Sequence, residues 1–379
     1  MRPGKSRVVT PLGVPAGFTF PDVYHRKIRR TTCSRDPQPG LQALTEARVL
    51  KFLGTLLLLV LIALAIAGYV IYAPFGPSAE TFVDIPARTG SRTIAEQLEQ
   101  NGIIRNRFGF DLLRIIKGGT LKAGEYRFDR PVPMPEVYAR LVRGDVYTRV
   151  LTIPEGYNIF DIAQAVEAAG LGSRDAFLAA ARQHTELIAE WTAGSDNKPS
   201  SLEGFLFPDT YHFSRHATPE QILTAMVHRF RQVSSQLGLT EDVFRTVTMA
   251  SLVEKEVSQD AERPLVAGVF VNRLARGMPL ATDPTVIYAA LLENRWRGTI
   301  YASDLQSPSP YNTYKHTGLP PGPIANPGIA ALKAAAAPTQ TDYLYFVSDA
   351  AGHSRFSADL KEHAAQVQAY RQAEKAQQR

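Results

Sequence analysis

Residues 153–171 read IPEGYNIFDIAQAVEAAGL, and residues 85–103 read IPARTGSRTIAEQLEQNGI. Each opens on Ile-Pro, passes a glycine and reaches Ile-Ala. Each then places a second glycine eight residues after that isoleucine, Gly170 in one and Gly102 in the other. Ile162, Ala163 and Val166 recur at helical spacing, as do Ile94, Ala95, Leu98 and Ile103. A glycine just past such a stripe allows the left-handed turn on which many helices end. The pair therefore predicts two copies of a short strand, a turn and an amphipathic helix, which makes the body of the chain α+β. Between them, LKAGEYRF (121–128) reads as a turn into a strand and MPEVYARLVRG (134–144) as a helix ended by Gly144.

Upstream of the repeat, Phe52 to Tyr72 reads FLGTLLLLVLIALAIAGYVIY without a charge. As a helix this stretch spans roughly 31 Å, matching a hydrocarbon core of about 30 Å. Tyr69 and Tyr72 fall where interfacial aromatics anchor, while Arg48, Lys51 and HRKIRR (25–30) lie on the N-terminal side. Positive charge there predicts a cytoplasmic N-terminus and an exported body, on the far side of the inner membrane. A cleaved signal peptide is the competing reading, but the apolar run exceeds a normal signal core and the preceding region is long. The first 45 or so residues lack an apolar period and are rich in Pro, Gly and Arg, the composition of a disordered tail. An over-extended start is the other reading of that tail. On an exported chain, the small strand–helix units resemble LysM modules, which bind N-acetylglucosamine-containing glycans. A packing scaffold with no ligand of its own is the plain alternative.

The net charge of +6 over 379 residues is unevenly spread. Residues 1–51 hold ten of the 42 Lys and Arg and three of the 36 Asp and Glu. That leaves 32 basic and 33 acidic residues for 73–379, so the body is close to neutral and offers no nucleic-acid surface. Cys33, the single cysteine, lies in the tail, and one thiol excludes a disulfide framework within one chain.

The chemistry-bearing candidates lie beyond residue 200. SLEGFLFPDTYHF (201–213) is rich in aromatics, which suits either stacking on sugar rings or packing in a core. A helix follows from about Pro219 to Leu237, ended by Gly238, and Thr240 is placed to cap the next one ahead of Glu241 and Asp242. That next helix ends in VTMASLVEKEV (247–257). At 100° per residue, Glu256 lies within about 60° of Met249, Leu252 and Val253, and Glu254 about 160° away beside Val247, Ala250 and Ser251. The two glutamates cannot share a site. A carboxyl held against apolar groups stays protonated near neutral pH and can serve as a general acid. A salt bridge to Lys255, Arg263 or Arg273 on a solvated helix end is the ordinary alternative for either glutamate. AERPLVAGVFVNRL (261–274) continues as a helix carrying Asn272, and ATDPTVIYA (281–289) carries Asp283 and Thr285 around a proline. Tyr311, Asn312, Thr313 and Tyr314 precede a loop stiffened by Pro320, Pro321, Pro323 and Pro327. Stiff loops bearing amides, hydroxyls and aromatic rings suit a carbohydrate better than a phosphate.

These segments, MASLVEKE, ERPLVAGVFVNRL, TDPTVIY, SPYNTYKHTGLPPGPIANPG, ALKAAAAPTQTDYLYFV and EGFLFPDTY, closely resemble the endolytic murein transglycosylase family (MltG or YceG-like). The resemblance covers roughly residues 80–365 in the expected order, and the long N-terminal tail departs from it. It implies an anchored protein with a basic tail (1–51), a transmembrane helix (52–72), a LysM-like subdomain (80–150), a catalytic domain (151–365) and a polar C-terminal tail (366–379). It also implies cleavage of the β-1,4 bond between N-acetylmuramic acid and N-acetylglucosamine in peptidoglycan strands, near peptidoglycan synthases. The second Glu of the EKE triplet, Glu256, would be the catalytic residue. Substrate contacts would come from Asn272, Asp283, Thr285, Tyr288, Tyr311, Asn312, Thr313, Tyr314, Glu203 and Asp209. No metal or organic cofactor is called for.

A hydrolase of the same bond would need a second carboxylate, with Asp283 or Asp209 available, whereas a transglycosylase needs one, because the substrate supplies the nucleophile. Ser195-Asp196-Asn197 brings to mind serine acyl-enzymes, but the chain holds no K-T-G, and its one S-x-x-K, Ser195 to Lys198, overlaps that triplet instead of standing apart from it. His212 and His216 are four apart without an H-E-x-x-H, so a surface pair is the simpler reading than zinc. A glycan-binding scaffold without catalysis is the non-enzyme alternative, and it would tolerate Glu256→Gln.

Overall fold

The computed structural model describes residues 39–193, 198–349 and 353–377. The disordered tail expected over the first 45 or so residues lies outside the described residues as far as residue 38, Cys33 included, but from Pro39 on the chain is helical instead. Ser195-Asp196-Asn197 also lie outside the described residues. The chain divides into two compact units, one ending at Gly68 and one beginning at Tyr69. In the first, helix α1 (Pro39–Tyr72) begins and then runs on into the second. Its stretch Glu46–Tyr72 is long and apolar enough to cross a membrane, and it is exposed except near its end, where Val70 and Ile71 are partly buried.

The second unit opens with β1 (Thr81–Ile85), α2 (Ser91–Gln100), α3 (Arg107–Lys117), β2 (Gly124–Phe128) and α4 (Met134–Arg143). β1 and β2 pair antiparallel with Val83 opposite Tyr126. The helices cover this ribbon through a core that includes Ile85, Ile94, Leu98, Phe110, Tyr126 and Leu141. α4 ends on Gly144 in the left-handed conformation, where the sequence placed its stop.

Next come β3 (Arg149–Thr152), α5 (Ile159–Ala168), α6 (Arg174–Gln183), α7 (Ala189–Thr192), β4 (Thr210–Phe213) and α8 (Pro219–Gln236). β3 and β4 pair antiparallel. The remainder is α9 (Val243–Glu256), α10 (Arg263–Ala275), α11 (Asp283–Leu292), α12 (Ala302–Leu305), α13 (Ile329–Ala336), the hairpin β5 (Tyr345–Ser348) and β6 (Ser354–Ser357), and α14 (Leu360–Gln377). One face of α9, through Val247 and Ala250, joins the core built on Ile162, Phe205, Met226 and Phe230. Another face, through Met249, Leu252 and Val253, joins the core built on Val266, Phe270, Leu280 and Ile324. α9 is therefore held from two sides, and its C-terminal end is fixed in place.

The sequence repeat is also a structural one. In the first copy Ile103 N–H donates to Leu98 O at 2.8 Å and Gly102 N–H to Glu99 O at 3.0 Å. In the second, Leu171 N–H donates to Val166 O at 3.0 Å and Gly170 N–H to Glu167 O at 2.9 Å. Both are Schellman closures, with glycine at φ 68° and 67° and an apolar contact across the turn. The second copy does more. Its turn lies against the end of α9, where Lys255 Nζ donates to Gly156 O at 3.2 Å.

Arg215 ties the first β–α group to the rest of the unit. Its guanidinium grips buried Glu125 with bonds of 2.7–3.0 Å and lies 3.8 Å from the Phe82 ring centroid.

Two expectations need correction. α9 begins at Val243 rather than after Thr240, because Asp242 takes a left-handed backbone (φ 42°) and breaks the run. The segment 261–274 is a separate helix, parted from α9 by an extended Val257 and a turn. The aromatic stretch 201–213 resolves toward packing, with Leu202, Phe205, Leu206 and Phe207 buried. His212 lies on β4 and His216 in the loop after it, so the pair is not on a helix.

Candidate active site

Glu254 and Glu256 close α9 and part as the helical wheel requires. Glu254 turns inward and pairs with Arg263 at 2.8 Å, both side chains only 5% exposed. It also accepts the Gly328 N–H at 2.9 Å. A side chain at Gly328 would have to displace the Glu155 carboxyl, which occupies that space. Through these bonds Glu254 joins α9, α10 and the proline-stiffened loop. Ser251, one turn earlier, adds a second tie by accepting the Ile324 N–H at 3.1 Å.

Glu256 points the other way, into a cavity of about 400 Å³ lined by Arg273, Leu280, Ala281, Thr282, Asp283, Tyr314, Tyr345, Phe346, Leu360 and His363. Among the described residues nothing donates a hydrogen bond to its carboxyl. Burial pushes that carboxyl up to about 7, the Asp283 charge pushes the same way, and the Arg273 charge opposes them. The carbonyl end of α9 adds a further bias against negative charge.

The walls of the cavity are fixed by backbone. Arg273 donates from Nε to Leu344 O at 2.7 Å and from Nη1 to Leu280 O at 2.7 Å, and its guanidinium lies over the Tyr345 ring. Ala281 adopts φ 53°, a left-handed conformation costly for a residue with a side chain. It is held there by its N–H donating to Thr313 O at 3.1 Å, while Thr282 N–H donates to Thr313 Oγ1 at 3.0 Å. Thr285 Oγ1 meets Thr313 Oγ1 at 2.8 Å. This clamp sets Asp283 at the rim, where Tyr314 Oη donates to its Oδ1 at 2.7 Å.

The residues singled out from sequence thus sort into groups. Asp283 and Tyr314 share the cavity with Glu256. Thr285, Asn312 and Thr313 are buried beneath it as loop fasteners, and Asn312 Nδ2 donates to Leu305 O and Ser307 O. Asn272 holds the Thr341 and Tyr343 carbonyls at 2.7 and 2.9 Å. Asp209 pairs with Arg229 at 2.7 Å away from the cavity. Tyr288 and Tyr311 stack at a tilt, 5.1 Å between centroids. Tyr311 and Glu203 line a separate cavity of about 200 Å³ with Lys198, Ser200 and Phe244. Glu203 is buried and accepts from Ile159 N–H at 2.8 Å and Asn326 Nδ2 at 2.7 Å.

Arg273, Ala281, Tyr345 and His363 are among the cavity residues that the sequence did not single out for the site. The sequence marks Arg273 only as a possible ion-pair partner of the glutamates, although it is a lone cation on an otherwise apolar helix face. Burial and the Arg273 charge hold His363 below its ordinary value. No group of three or more His, Cys, Asp or Glu placed to hold a metal occurs among the described residues.

Residues 83–369 match the model of the YceG-like family. The chain belongs to that family. A relative named endolytic murein transglycosylase, from Bacillus subtilis (strain 168), is 36% identical over 301 residues, covering 74% of this chain and 82% of that protein. Another of that name, from Streptococcus pneumoniae serotype 2, is 32% identical over 296 residues, covering 70% of this chain and 54% of that protein. The 2.6 Å crystal structure of a yceG-like protein from Listeria monocytogenes superposes with a TM-score of 0.50 at 32% identity, over 76% of this chain and 99% of that one.

Proposed function

We propose that this YceG-family chain is an endolytic lytic transglycosylase of peptidoglycan with Glu256 as its single acid–base. The relatives' shared name supports the activity. The observation that carries the residue assignment is an uncompensated carboxyl, pushed up to about 7, facing a cavity large enough for a sugar ring. Protonated Glu256 gives its proton to the glycosidic oxygen as the bond from the muramic acid C1 breaks. The carboxylate left behind, stabilised by the Arg273 charge, takes the proton from the C6 hydroxyl as the C1–O6 bond closes. The proton is returned, and the product ends in a 1,6-anhydro ring. Asp283 keeps Glu256 protonated beforehand by like-charge repulsion, and the Ala281 clamp fixes that spacing. Tyr314, Tyr345 and Phe346 offer aromatic surface to the sugar.

The finer organisation belongs to the same reading. Residues 52–72 anchor the chain in the inner membrane, with the basic tail cytoplasmic and the body extracytoplasmic, close to peptidoglycan synthases. Residues 80–150 form a LysM-like glycan-binding subdomain, supported by the order strand–helix–helix–strand in β1, α2, α3 and β2. Residues 151–365 form the catalytic domain and 366–379 a polar tail.

Asp283 in the same cavity favours one rival, a hydrolase using two carboxylates. Incubating the full chain in detergent with purified sacculi, as wild type and as Glu256→Gln, separates the possibilities. Anhydromuramic ends from the wild type alone are expected by mass spectrometry. Reducing ends would make it a hydrolase, and equal anhydro product from the variant would remove Glu256 from the mechanism.

A further inference from the structure

Helix α3 (Arg107–Lys117) is apolar on two opposite faces. Phe110 and Leu113 enter the core of the first β–α group. Phe108, Leu112, Ile115 and Ile116, spaced i, i+4, i+7 and i+8, form one stripe on the far side. They are 65, 46, 75 and 71% exposed. Among the described residues, no other helix of the unit starting at Tyr69 leaves more than one large apolar side chain exposed beyond the end of α1. Such a stripe is not ordinary surface scatter; it marks a face meant to be covered.

What covers it is indicated by where α3 sits. Val70 and Ile71, from the last turn of α1, pack on the same core that α3 closes. Ile71 reaches α3 at Gly109, where an added side chain atom would come within 3.7 Å of it. Arg105, just ahead of α3, places its guanidinium 4.6 Å from the Tyr69 ring centroid and 5.1 Å from that of Phe75, and donates to Pro74 O. The chain leaving the apolar span is therefore fastened to α3 within one helical turn. Asp111, the one acidic residue of the helix, borders the stripe, while the exposed Arg114 and Lys117 lie further round, toward the Phe110 side.

We propose that the outer face of α3 lies in the outer surface of the same bilayer that the apolar helix crosses. The idea rests on the reading of residues 52–72 as a membrane anchor. An amphipathic helix of this kind buries its apolar face about 5–10 Å into the headgroup and acyl boundary. A span plus an interfacial helix makes two attachments, which fixes the tilt of the body as a single flexible tether does not. The tethered enzyme would then act on glycan at a set height above the membrane.

The test uses the full chain in phosphatidylglycerol–phosphatidylcholine proteoliposomes, in a Cys33→Ser background. An environment-sensitive dye is placed through Ile116→Cys, Leu59→Cys or Asp175→Cys. Asp175, 93% exposed in its side chain, is the aqueous reference. Lipids carrying a nitroxide at a shallow acyl position are expected to quench the dye at position 116 at least about twofold more than at 175, consistent with interfacial depth. Adding Leu112→Glu and Ile115→Glu, which place charge in the stripe itself, should reduce that quenching while leaving the dye at 59 unchanged. A water-like dye at 116 alongside a quenched dye at 59 overturns the proposal and leaves the anchor standing. A shielded dye at 116 that lipids do not quench, and whose shielding grows with protein density, overturns it in favour of a second copy. An unquenched dye at 59 removes the anchor and this proposal together.

Discussion

Two buried carboxyls in this protein are pushed well above the usual carboxylate range, Glu203 to about 8 and Glu256 to about 7, both chiefly by burial. Their surroundings are opposite. Glu203 is ringed by donors, with Ile159 N–H, Asn326 Nδ2 and the Tyr288 hydroxyl all directed at it. It joins the start of α5 to the loops at 203 and 326, so its bonding capacity is already spent on the protein. Glu256 has no such donor and faces open volume, with only the charges of Asp283 and Arg273 acting on it. A raised carboxyl is thus a poor marker of chemistry on its own. The absence of protein donors beside a cavity is the feature that leaves a proton free to be given away.

The widest separation between the two should come from Glu256→Gln, which keeps shape and removes the proton. Turnover of sacculi is expected to fall by on the order of 10³–10⁴-fold, since the one group serves as acid and then base. The melting temperature should hold or rise, because a buried ionisable group has been neutralised. Glu203→Ala should invert the pattern. It strands donors in the core and should cost about 3–5 kcal/mol in denaturant unfolding. The fraction still folded should turn over normally. Loss of activity per folded molecule in that variant would break the distinction.

A third difference lies in pH. Folded Glu203 keeps its proton to about 8, whereas the unfolded chain releases it near 4.5. The folded state binds the extra proton between those values, so this group's contribution to stability falls as pH rises across that window. Glu203→Gln should remove the slope, with the variant gaining on wild type in melting temperature from about pH 5 to pH 8. Glu256 should show its pH dependence in catalysis instead. Cleavage should decline as pH rises through about 7, because the acid must begin protonated.

The local half of this picture is legible in sequence. Gly102, Gly144, Gly170 and Gly238 stop helices where the apolar stripes end, and all four take positive φ. The wheel alone sends Glu254 and Glu256 apart. The start of α9 was less legible, because the competent cap Thr240 gave way to a left-handed Asp242 that no local rule anticipates. Contacts across long separations were silent. Glu203 meets Asn326 from 123 residues away, and Ser251 meets Ile324 from 73. Such partners decide whether a buried polar residue is a fastener or is free to act. For that reason Asn312, Thr313 and Thr285 read as ligand groups in sequence, yet they are bonded beneath the cavity floor.

The smallest effects concern how Glu256 is tuned, and they should carry opposite signs. Asp283→Asn removes the like charge that raises Glu256, so the decline in cleavage should begin at a lower pH. Tyr314→Phe deletes the hydroxyl that donates to Asp283 Oδ1 at 2.7 Å, costing about 1 kcal/mol as a single hydrogen bond. Without that donor the Asp283 charge is less spread and repels Glu256 more strongly, so the decline should begin at a slightly higher pH. pH–rate profiles of the two variants against wild type read both shifts directly. If they moved in the same direction, Asp283 would not be acting on Glu256 through charge. If Asp283→Asn abolished cleavage at every pH, Asp283 would be a reacting group, and the two-carboxylate mechanism would replace the one-carboxylate one.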